Sequence, residues 1–310
     1  MAKKKKTASV EFRQFTPERG AKVYVQAGND WIRQYGSYEE DMHFHNMMEI
    51  GICRRGSGKI VMGDRDYHYL SGCIMVIPEN FPHKILSESE NFWEFVFLDT
   101  RGVIRDMYPD NPVYQTELGD KLNRNAIMLD VGEEKTLYQL TNLIMDEAKV
   151  AREEGPKMMD YLAHGLTLEL IRHQQGGFEG PAIDGKPLNM VQISPAVEYI
   201  NQHYAEDLRV KEMSDCCKMS ETHFRRQFET CYGMSPMDYV NMVRIQRACD
   251  LMRTTQMSMD EVAKACGYFT PSTFNRNFHK FMDESPYQWK INPDNNETIL
   301  RKFNITGQNE

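Results

Sequence analysis

The feature that most constrains the fold of this chain is an internal repeat near its carboxyl end. The segment His223–Phe228 recurs fifty residues later as Thr273–Phe278, and Ser235-Pro236 recurs as Ser285-Pro286. A repeat of this length marks a duplicated structural unit. Each copy predicts a helix, a tight turn and a second helix. The two phenylalanines in each second helix are four residues apart and mark its buried face.

Local signals place the ends of these helices. Ser220 and Thr270 are the predicted N-caps of the two second helices, and Pro271 follows at a first helical position, where its missing N–H costs nothing. Gly267 stands where the first helix of copy two must end, as a left-handed C-cap. A long helix from Pro236 to about Arg253 is predicted to join the two copies.

The free faces of the two second helices carry hydrogen-bonding side chains. They are Thr222, Arg225 and Arg226 in copy one, and Ser272, Thr273, Asn275 and Arg276 in copy two. Arg can form two hydrogen bonds to guanine and Asn two to adenine, and Ser or Thr reaches a base or a phosphate. An ordinary solvated helix face is the alternative. The duplication favours double-stranded DNA, because two equivalent faces about one groove repeat apart suit successive major grooves.

At these residues the sequence strongly resembles the AraC/XylS family of bacterial transcription activators. The match runs from about Ser194 to Lys290 and includes Gly233-Met234-Ser235-Pro236 and the repeated Phe-x-x-x-Phe helices. The resemblance implies two helix-turn-helix motifs, RNA polymerase as a partner, and base-reading positions at Thr222, Arg225, Arg226, Ser272, Thr273 and Arg276. Two positions depart from the family pattern: Asp283 replaces a usual glycine, and Thr222 replaces an often bulkier residue.

Charge and cysteine content limit the function classes. The chain has 310 residues and a formal net charge of −8, and residues 192–290 contain 12 Lys and Arg against 13 Asp and Glu. Any affinity for DNA must therefore come from the placement of a few cations and not from a basic domain. Seven scattered cysteines, with no signal peptide and no transmembrane segment in the sequence, predict a soluble cytoplasmic protein with no membrane partner.

The patterns divide the chain into six segments. We predict a basic disordered tail over 1–19, a β-barrel over 20–132, a helical pair over 133–175, a Gly- and Pro-rich linker over 176–190, a DNA-binding domain over 191–292, and a polar tail over 293–310. The fold class is therefore α+β with several domains. Its amino-terminal part is a cupin-like barrel with a helical pair, and its carboxyl-terminal part is all-α, with two helix-turn-helix motifs joined by a long helix.

Four residues of the barrel resemble the two motifs of cupins. His43, His45 and Glu49 match the first motif and His83 matches the second, and these residue types suit a divalent transition metal. However, Asn80 replaces the glycine usual in metal-binding cupins, and no Asn follows three residues after His83. We therefore expect a polar ligand pocket or structural hydrogen bonding, with no metal and no cofactor.

The barrel is predicted to bind a small effector. Beside His43, His45, Glu49 and His83, the candidate contacts are Trp93, which could stack on a sugar face, and Arg33, Tyr38 and Arg54, which could bond its hydroxyls. Each of these is also common as a plain core or rim residue. A sugar or sugar derivative is favoured by family analogy alone.

The sequence favours a ligand-responsive transcription regulator that controls carbohydrate uptake or catabolism genes and is not an enzyme. The helical pair is predicted to pack both on the barrel and on a second copy in a homodimer, and the alternative is packing on the barrel alone. The alternative function is a metal-dependent cupin enzyme with a helical appendage, which would need the four barrel residues around a tightly held ion.

Overall fold

The chain divides into two compact units in the computed structural model. One unit is Ala21–Lys186, and the other combines Met1–Gly20 with Pro187–Glu310. The structure describes residues 10–18, 20–28, 32–33, 42–62, 65–87, 90–123, 126–130, 132, 134–150, 152–175, 189–292 and 299–304. The first strand, β1 (Val10–Thr16), belongs to the second unit.

The amino-terminal unit contains two antiparallel β-sheets. Its strands are β2 (Val23–Gln26), β3 (Ile32–Arg33), β4 (Met42–His45), β5 (Met48–Arg55), β6 (Ser57–Met62), β7 (Arg65–Leu70), β8 (Cys73–Ile77), β9 (His83–Ser87), β10 (Asn91–Leu98) and β11 (Ile127–Asp130). One sheet has the order β4-β9-β6-β7, and the other has the order β11-β8-β5-β10-β2 with β3 beside β10. The sheets pack face to face, since the ring of Tyr69 lies edge-on against Trp93 at 5.0 Å.

The two faces of β5 have different roles. Successive residues of a strand point to opposite faces. Glu49 points toward the other sheet, where its carboxylate meets His45. Ile50 and Ile52, on the opposite face, are fully buried in an apolar cluster with helical residues such as Leu137. The strand therefore separates a polar interior from an apolar layer.

Four helices cover that apolar layer: α1 (Thr100–Met107), α2 (Pro112–Leu122), α3 (Lys135–Val150) and α4 (Gly155–Gln175). Leu137, Ile144, Leu166 and Leu170 bury their side chains there, at about 1.5–3 kcal/mol each. The sequence pattern predicts α3 and α4 but not α1 and α2. Their caps are visible in the sequence, because Asp99 and Asn111 accept hydrogen bonds from the first turns of α1 and α2.

The carboxyl-terminal unit is helical. Its elements are α5 (Asn189–His203), α6 (Val210–Cys216), α7 (Glu221–Tyr232), α8 (Pro236–Thr254), α9 (Met259–Ala265), α10 (Pro271–Met282), α11 (Pro286–Ile291) and the strand β12 (Ile299–Asn304). The duplication corresponds to α6 and α7 in copy one and to α9 and α10 in copy two, with α8 as the joining helix. The predicted α+β fold class is confirmed.

The caps predicted for the repeat are present. Ser220 accepts a hydrogen bond from the amide of His223, and Thr270 accepts one from the amide of Thr273. Asp283 has a φ of +58°, so it adopts the left-handed conformation that the family's glycine would supply. Gly233 occupies the matching place in copy one, with a φ of +67°.

The turn between the two helices of each motif needs a left-handed residue. Gly267 fills this place in copy two, with a φ of +77°, and Lys218 fills it in copy one, with a φ of +55°. A Cβ atom on Gly267 would lie 2.6 Å from the carbonyl oxygen of Ala205, in the chain that follows α5. Only glycine fits there, whereas copy one tolerates a side chain at some cost in free energy.

Arg244 of α8 ties the same region together. Its buried guanidinium donates to the carbonyl oxygens of Tyr204 at 2.6 Å and Glu206 at 2.7 Å, and it lies over the ring of Tyr268 at 5.5 Å. Burial lowers the pKa of Arg244 from its ordinary value. Arg244 and Gly267 therefore fix the chain after α5, the joining helix and the turn of copy two as one rigid joint.

The predicted tails are wrong where the structure shows strands. β1 pairs antiparallel with β12, from Glu11 opposite Asn304 to Thr16 opposite Ile299. From Val10 to Gln14 the residues of β1 alternate between buried and half-buried, which is the period of a strand and not of a solvated tail. Arg253 of α8 also donates to the carbonyl oxygens of Pro17 and Glu18.

Some predicted segments lie outside the described residues. They are residues 1–9 of the amino-terminal tail, residues 176–188 of the linker, and residues 293–298 and 305–310 of the carboxyl-terminal tail. The predicted linker extends too far, because residues 189 and 190 already belong to α5. No helix in the described part of the chain is long and apolar enough to cross a membrane.

Candidate functional site

Helix α7 presents the candidate DNA-contacting residues of copy one to solvent. Phe224 and Phe228 are fully buried, so the opposite side of the helix is free. Thr222, Arg225 and Arg226 are all exposed on that side. The local sequence therefore orients α7 as a recognition helix needs.

Helix α10 repeats this arrangement in copy two. Ser272, Asn275 and Arg276 are exposed, and Phe274 and Phe278 are buried. Thr273 is only half-buried, and its hydroxyl lies 2.9 Å from that of Thr270, the helix N-cap. Its side chain is therefore held by the cap, and it is the least available of the seven predicted residues.

The cations of these faces are largely free to bind phosphate or bases. Arg225 lies 3.6 Å from Glu221, one helical turn earlier, and both side chains are about half exposed. An exposed pair of this kind contributes little free energy. Across the described ranges, no ion pair is formed by Arg226 or Arg276.

The sequence analysis missed one exposed side chain beside α10. Phe269 directly precedes the N-cap Thr270 and is 82% exposed. An exposed apolar side chain at the start of α10 could contact an apolar group of a bound partner, such as the methyl group of thymine. The composition of the turn, Gly-Tyr-Phe-Thr, is the signal that could have revealed it.

A buried polar cluster lies between the two sheets of the amino-terminal unit. It consists of His43 and His45 of β4, Glu49 of β5 and His83 of β9, whose donor atoms all lie within 4.8 Å of one another. Each of the four is at most 4% exposed. The structure therefore brings together all four residues that the cupin resemblance selects.

Backbone carbonyls orient two of the imidazoles. Nδ1 of His45 lies 2.7 Å from the carbonyl oxygen of Met47, and Nδ1 of His83 lies 2.9 Å from that of Phe81. Both Nε2 atoms face Glu49 Oε2, at 2.6 Å from His45 and 3.4 Å from His83. Only the shorter contact is a hydrogen bond, since His83 Nε2 is buried without a hydrogen-bond partner.

Burial and proximity shift the ionisation of this cluster. Burial lowers the pKa of His45, against the opposing hydrogen bond to Glu49. Burial alone would raise the pKa of Glu49, but the side chains of His45 and His83 outweigh it and hold this pKa well below its ordinary value. The carboxylate is therefore ionised, and such a donor set suits a divalent transition metal.

The other predicted effector residues do not join this cluster. Trp93 is 3% exposed, packs edge-on against Tyr69 and stacks on Phe95, so its ring faces are covered by the chain itself. Arg54 lies on the opposite face of β5 from Glu49, because the two are five residues apart in a strand. Tyr38 and the side chain of Arg33 lie outside the described residues.

The structure therefore does not bring Arg54 to the four-residue cluster, because Arg54 faces helix α3. Its guanidinium donates to Glu94 of β10 at 2.8 Å, to the Tyr138 hydroxyl and to the Asn142 side chain. Lys149 of α3 pairs with the same carboxylate at 2.8 Å. Sequence patterns could not join these residues, because they come from two strands and a helix far apart in the chain.

A shallow groove of about 560 Å³ surrounds this ion-pair network. It is lined by Gly28, Arg54, Phe92, Glu94, Asn142, Asp146 and Lys149. Burial would raise the pKa of Glu94, but Lys149, the Gly28 amide and Arg54 together lower it from its ordinary value. This opening, and not the packed interior between the sheets, offers polar groups to a small molecule.

Two family models match the chain in agreement with this geometry. The helix-turn-helix domain matches residues 213–291, and the AraC-like ligand binding domain matches residues 30–112. The chain belongs to the AraC family of transcription regulators. Its domains and relatives are those of DNA-binding transcription regulators and not of enzymes.

Curated relatives match most of the chain at low sequence identity. The lactose operon transcription activator of Staphylococcus xylosus is 21% identical over 247 residues, which cover 78% of this chain and 82% of the relative. The transcriptional activator RhaS of Pectobacterium atrosepticum is 21% identical over 257 residues, which cover 79% of this chain and 85% of the relative.

Solved structures of related proteins match with low overall scores. The DNA-binding domain of AdpA in complex with a target DNA is 26% identical, covers 32% of this chain and 89% of that domain, and has a TM-score of 0.31. ToxT of Vibrio cholerae is 13% identical, covers 88% of this chain and 96% of ToxT, and has a TM-score of 0.37.

Proposed function

We propose that this AraC-family regulator reads specific sequences of double-stranded DNA through α7 and α10. The observation that carries the proposal is the equivalence of the two helices. Each buries two phenylalanines and exposes arginine on the opposite side, as two recognition helices in successive major grooves require. The exposed sides of α7 and α10 carry few cations, so the affinity for DNA depends on where these cations lie and not on total charge.

The exposed side chains have distinct roles in this proposal. Arg225, Arg226 and Arg276 donate to guanine or phosphate, and Asn275 recognises adenine. Thr222, Ser272 and Thr273 supply shorter hydroxyl contacts to bases or phosphates.

Site-directed variants test this assignment. Selection from a random duplex library identifies the preferred site, and fluorescence anisotropy at fixed salt then gives its affinity. We expect Arg226→Ala and Arg276→Ala each to lose about 1–3 kcal/mol, roughly 5- to 150-fold, and to relax base preference at separate positions. Arg172→Ala, which removes an exposed cation of α4, is the matched control. Unchanged affinity and base preference in both α7 and α10 variants would refute the proposal.

We further propose that the protein acts as a homodimer through α3 and α4. Leu143 and Val150 of α3 and Met158, Tyr161 and Leu168 of α4 are 40–64% exposed. Both helices therefore carry apolar residues seven apart along a free face, the spacing of a helix–helix interface. Sedimentation should show that Tyr161→Glu shifts the protein toward monomer, whereas Glu169→Gln, a nearby polar change, leaves the dimer intact.

The proposed effector is a small hydroxyl-rich molecule such as a sugar or sugar derivative. Two observations support this proposal. The AraC-like ligand binding domain matches the chain, and its relatives include a lactose operon transcription activator and the transcriptional activator RhaS. The groove at Arg54 and Lys149 has a volume within the usual range for ligand sites and offers both donors and acceptors. The regulated genes would then serve carbohydrate uptake or catabolism, with RNA polymerase as partner. The cytoplasm is the proposed location, in keeping with seven free thiols.

A thermal-shift screen of sugars and sugar acids tests the effector proposal. A ligand that raises the unfolding temperature of the wild type should lose its effect in Asn142→Ala, which removes an amide from the groove. Arg172→Ala again serves as the control. An equal shift in wild type and Asn142→Ala would exclude the groove as the binding site.

A further inference from the structure

We propose that His43, His45, Glu49 and His83 form a binding site for one divalent transition-metal ion. This differs from the expectation, based on sequence, of a site without metal. The donor atoms of all four side chains lie within 4.8 Å of one another, and all four side chains are buried. No other group of three or more His, Cys, Asp or Glu with this geometry occurs among the described residues.

The hydrogen bonds around the imidazoles leave their Nε2 atoms as electron-pair donors. A backbone carbonyl oxygen accepts hydrogen bonds and cannot donate, so the Met47 and Phe81 carbonyls require hydrogen on Nδ1 of His45 and His83. In a neutral imidazole, Nε2 then carries a lone pair. A backbone partner of this kind is the usual outer contact of a metal-binding histidine, since it fixes the ring and its tautomer.

The contact between His45 and Glu49 requires a positive charge between two acceptors. With the tautomer above, Nε2 and the carboxylate oxygen both present lone pairs, and they are 2.6 Å apart. Either a proton between the two atoms or a metal ion bound to both of them must offset this repulsion. His83 Nε2 favours the metal, because it faces the same oxygen at 3.4 Å and is buried with no hydrogen-bond partner. A single proton shared by His45 and Glu49 would leave His83 Nε2 without a partner, whereas a metal ion could be bound by all three atoms.

The sequence of the turn before β9 argued against a metal, but the backbone conformation of this turn does not. Asn80 replaces a glycine, yet its φ is +57°, the left-handed conformation that the glycine would supply. The backbone N–H of Asn80 donates to the carbonyl oxygen of His45 at 2.6 Å, which connects the turn to the strand that carries His43 and His45. The backbone around the cluster is therefore compatible with a metal centre despite the substitution.

The donor set identifies the class of ion. Three imidazole nitrogens and one carboxylate oxygen suit zinc or another first-row divalent transition metal, whereas calcium and magnesium require mainly oxygen ligands. Because the histidines belong to one sheet and Glu49 to the other, the ion would join the two sheets of the amino-terminal unit.

Metal binding is tested on the whole 310-residue chain without DNA, so the result does not depend on the proposed function. After removal of metals with a chelator, the protein is titrated with Co²⁺, and visible absorption, metal content and unfolding temperature are measured. We expect one ion per chain, absorption bands of nitrogen-coordinated Co²⁺, and a rise in unfolding temperature that the chelator reverses. X-ray absorption of the zinc-loaded wild type should show nitrogen and oxygen neighbours at about 2.0–2.2 Å.

Variants then assign the ligands. Glu49→Gln and His83→Gln should each weaken Co²⁺ binding by about 100-fold or more, because the loss of an outer partner alone costs about 10- to 100-fold. His68→Gln, which changes an exposed histidine of β7 in the same sheet, is the control and should bind as the wild type does. The proposal is overturned if the wild type binds no Co²⁺, if its ion lacks nitrogen neighbours, or if folded Glu49→Gln and His83→Gln bind it unchanged. The absorption measurements on the wild type decide the matter even if a variant does not fold.

Discussion

Replacing Gly267 with alanine should disrupt the joint between the chain after α5 and the second helix-turn-helix motif. The added Cβ would lie 2.6 Å from the carbonyl oxygen of Ala205 and 2.8 Å from its carbonyl carbon, so backbone atoms must move. Overpacking of this kind costs about 1–3 kcal/mol. The left-handed φ of +77° adds about 1–2 kcal/mol for a residue with a side chain. The sum is about 2–5 kcal/mol.

Hydrogen exchange measured by mass spectrometry tests this estimate where the change acts. Peptides from α9 and α10 should exchange about 30-fold to a few thousand-fold faster in Gly267→Ala, at about 1.4 kcal/mol per factor of ten. Gly119→Ala is the matched control, since a Cβ there meets open space inside α2. That control should stabilise its helix by about 0.5–1 kcal/mol. Unchanged exchange of α9 and α10 in Gly267→Ala would refute the steric argument.

Three further changes test other parts of the structure. Lys218→Gly should slow exchange in α6 and α7 by relieving a left-handed residue, worth up to about 1 kcal/mol, whereas Lys218→Ala should not. Arg244→Met should lower the urea midpoint of the DNA-binding unit, because it removes two hydrogen bonds from a charged donor to part-buried carbonyls, at about 1.5–3 kcal/mol each. Glu94→Gln should make the free energy of unfolding fall less in acid than it does in the wild type. The pKa of Glu94 is lowered in the folded protein, so its carboxylate stabilises the fold above about pH 4.3, and this is lost as the pH falls through the lower folded value. Identical acid-unfolding curves for Glu94→Gln and wild type would contradict this.

The duplicated motifs were predictable from sequence because their signals are local. The spacing of Phe224 and Phe228 and the caps at Ser220 and Thr270 act within one or two helical turns, and each is found in the structure. The left-handed turn at Gly267 was predicted for the same reason. Its counterpart at Lys218 was missed, because a lysine gives no sign of a positive φ.

The effector residues were only partly predictable because they depend on contacts across the sheets. The cupin motifs selected the four members of the buried cluster, but they gave no indication of how completely Trp93 is enclosed by its aromatic neighbours. The groove was missed altogether. In the groove, Arg54 of β5 contacts Glu94 of β10 and Tyr138 of α3, and no periodic pattern in the sequence indicates that these residues meet.

The pairing of β1 with β12 makes the sensor an insertion within the DNA-binding unit. The chain leaves that unit after Gly20 and re-enters it at Pro187, so the sensor is attached at both of its ends. The first attachment is anchored by Arg253, which lies on the helix that joins the two DNA-reading motifs. A protein cut at residue 187 would lose β1 and leave the backbone of β12 as an open edge. Removal of residues 21–186, with a linker joining residue 20 to residue 187, keeps both strands in one chain and is the better route to isolate the DNA-binding unit.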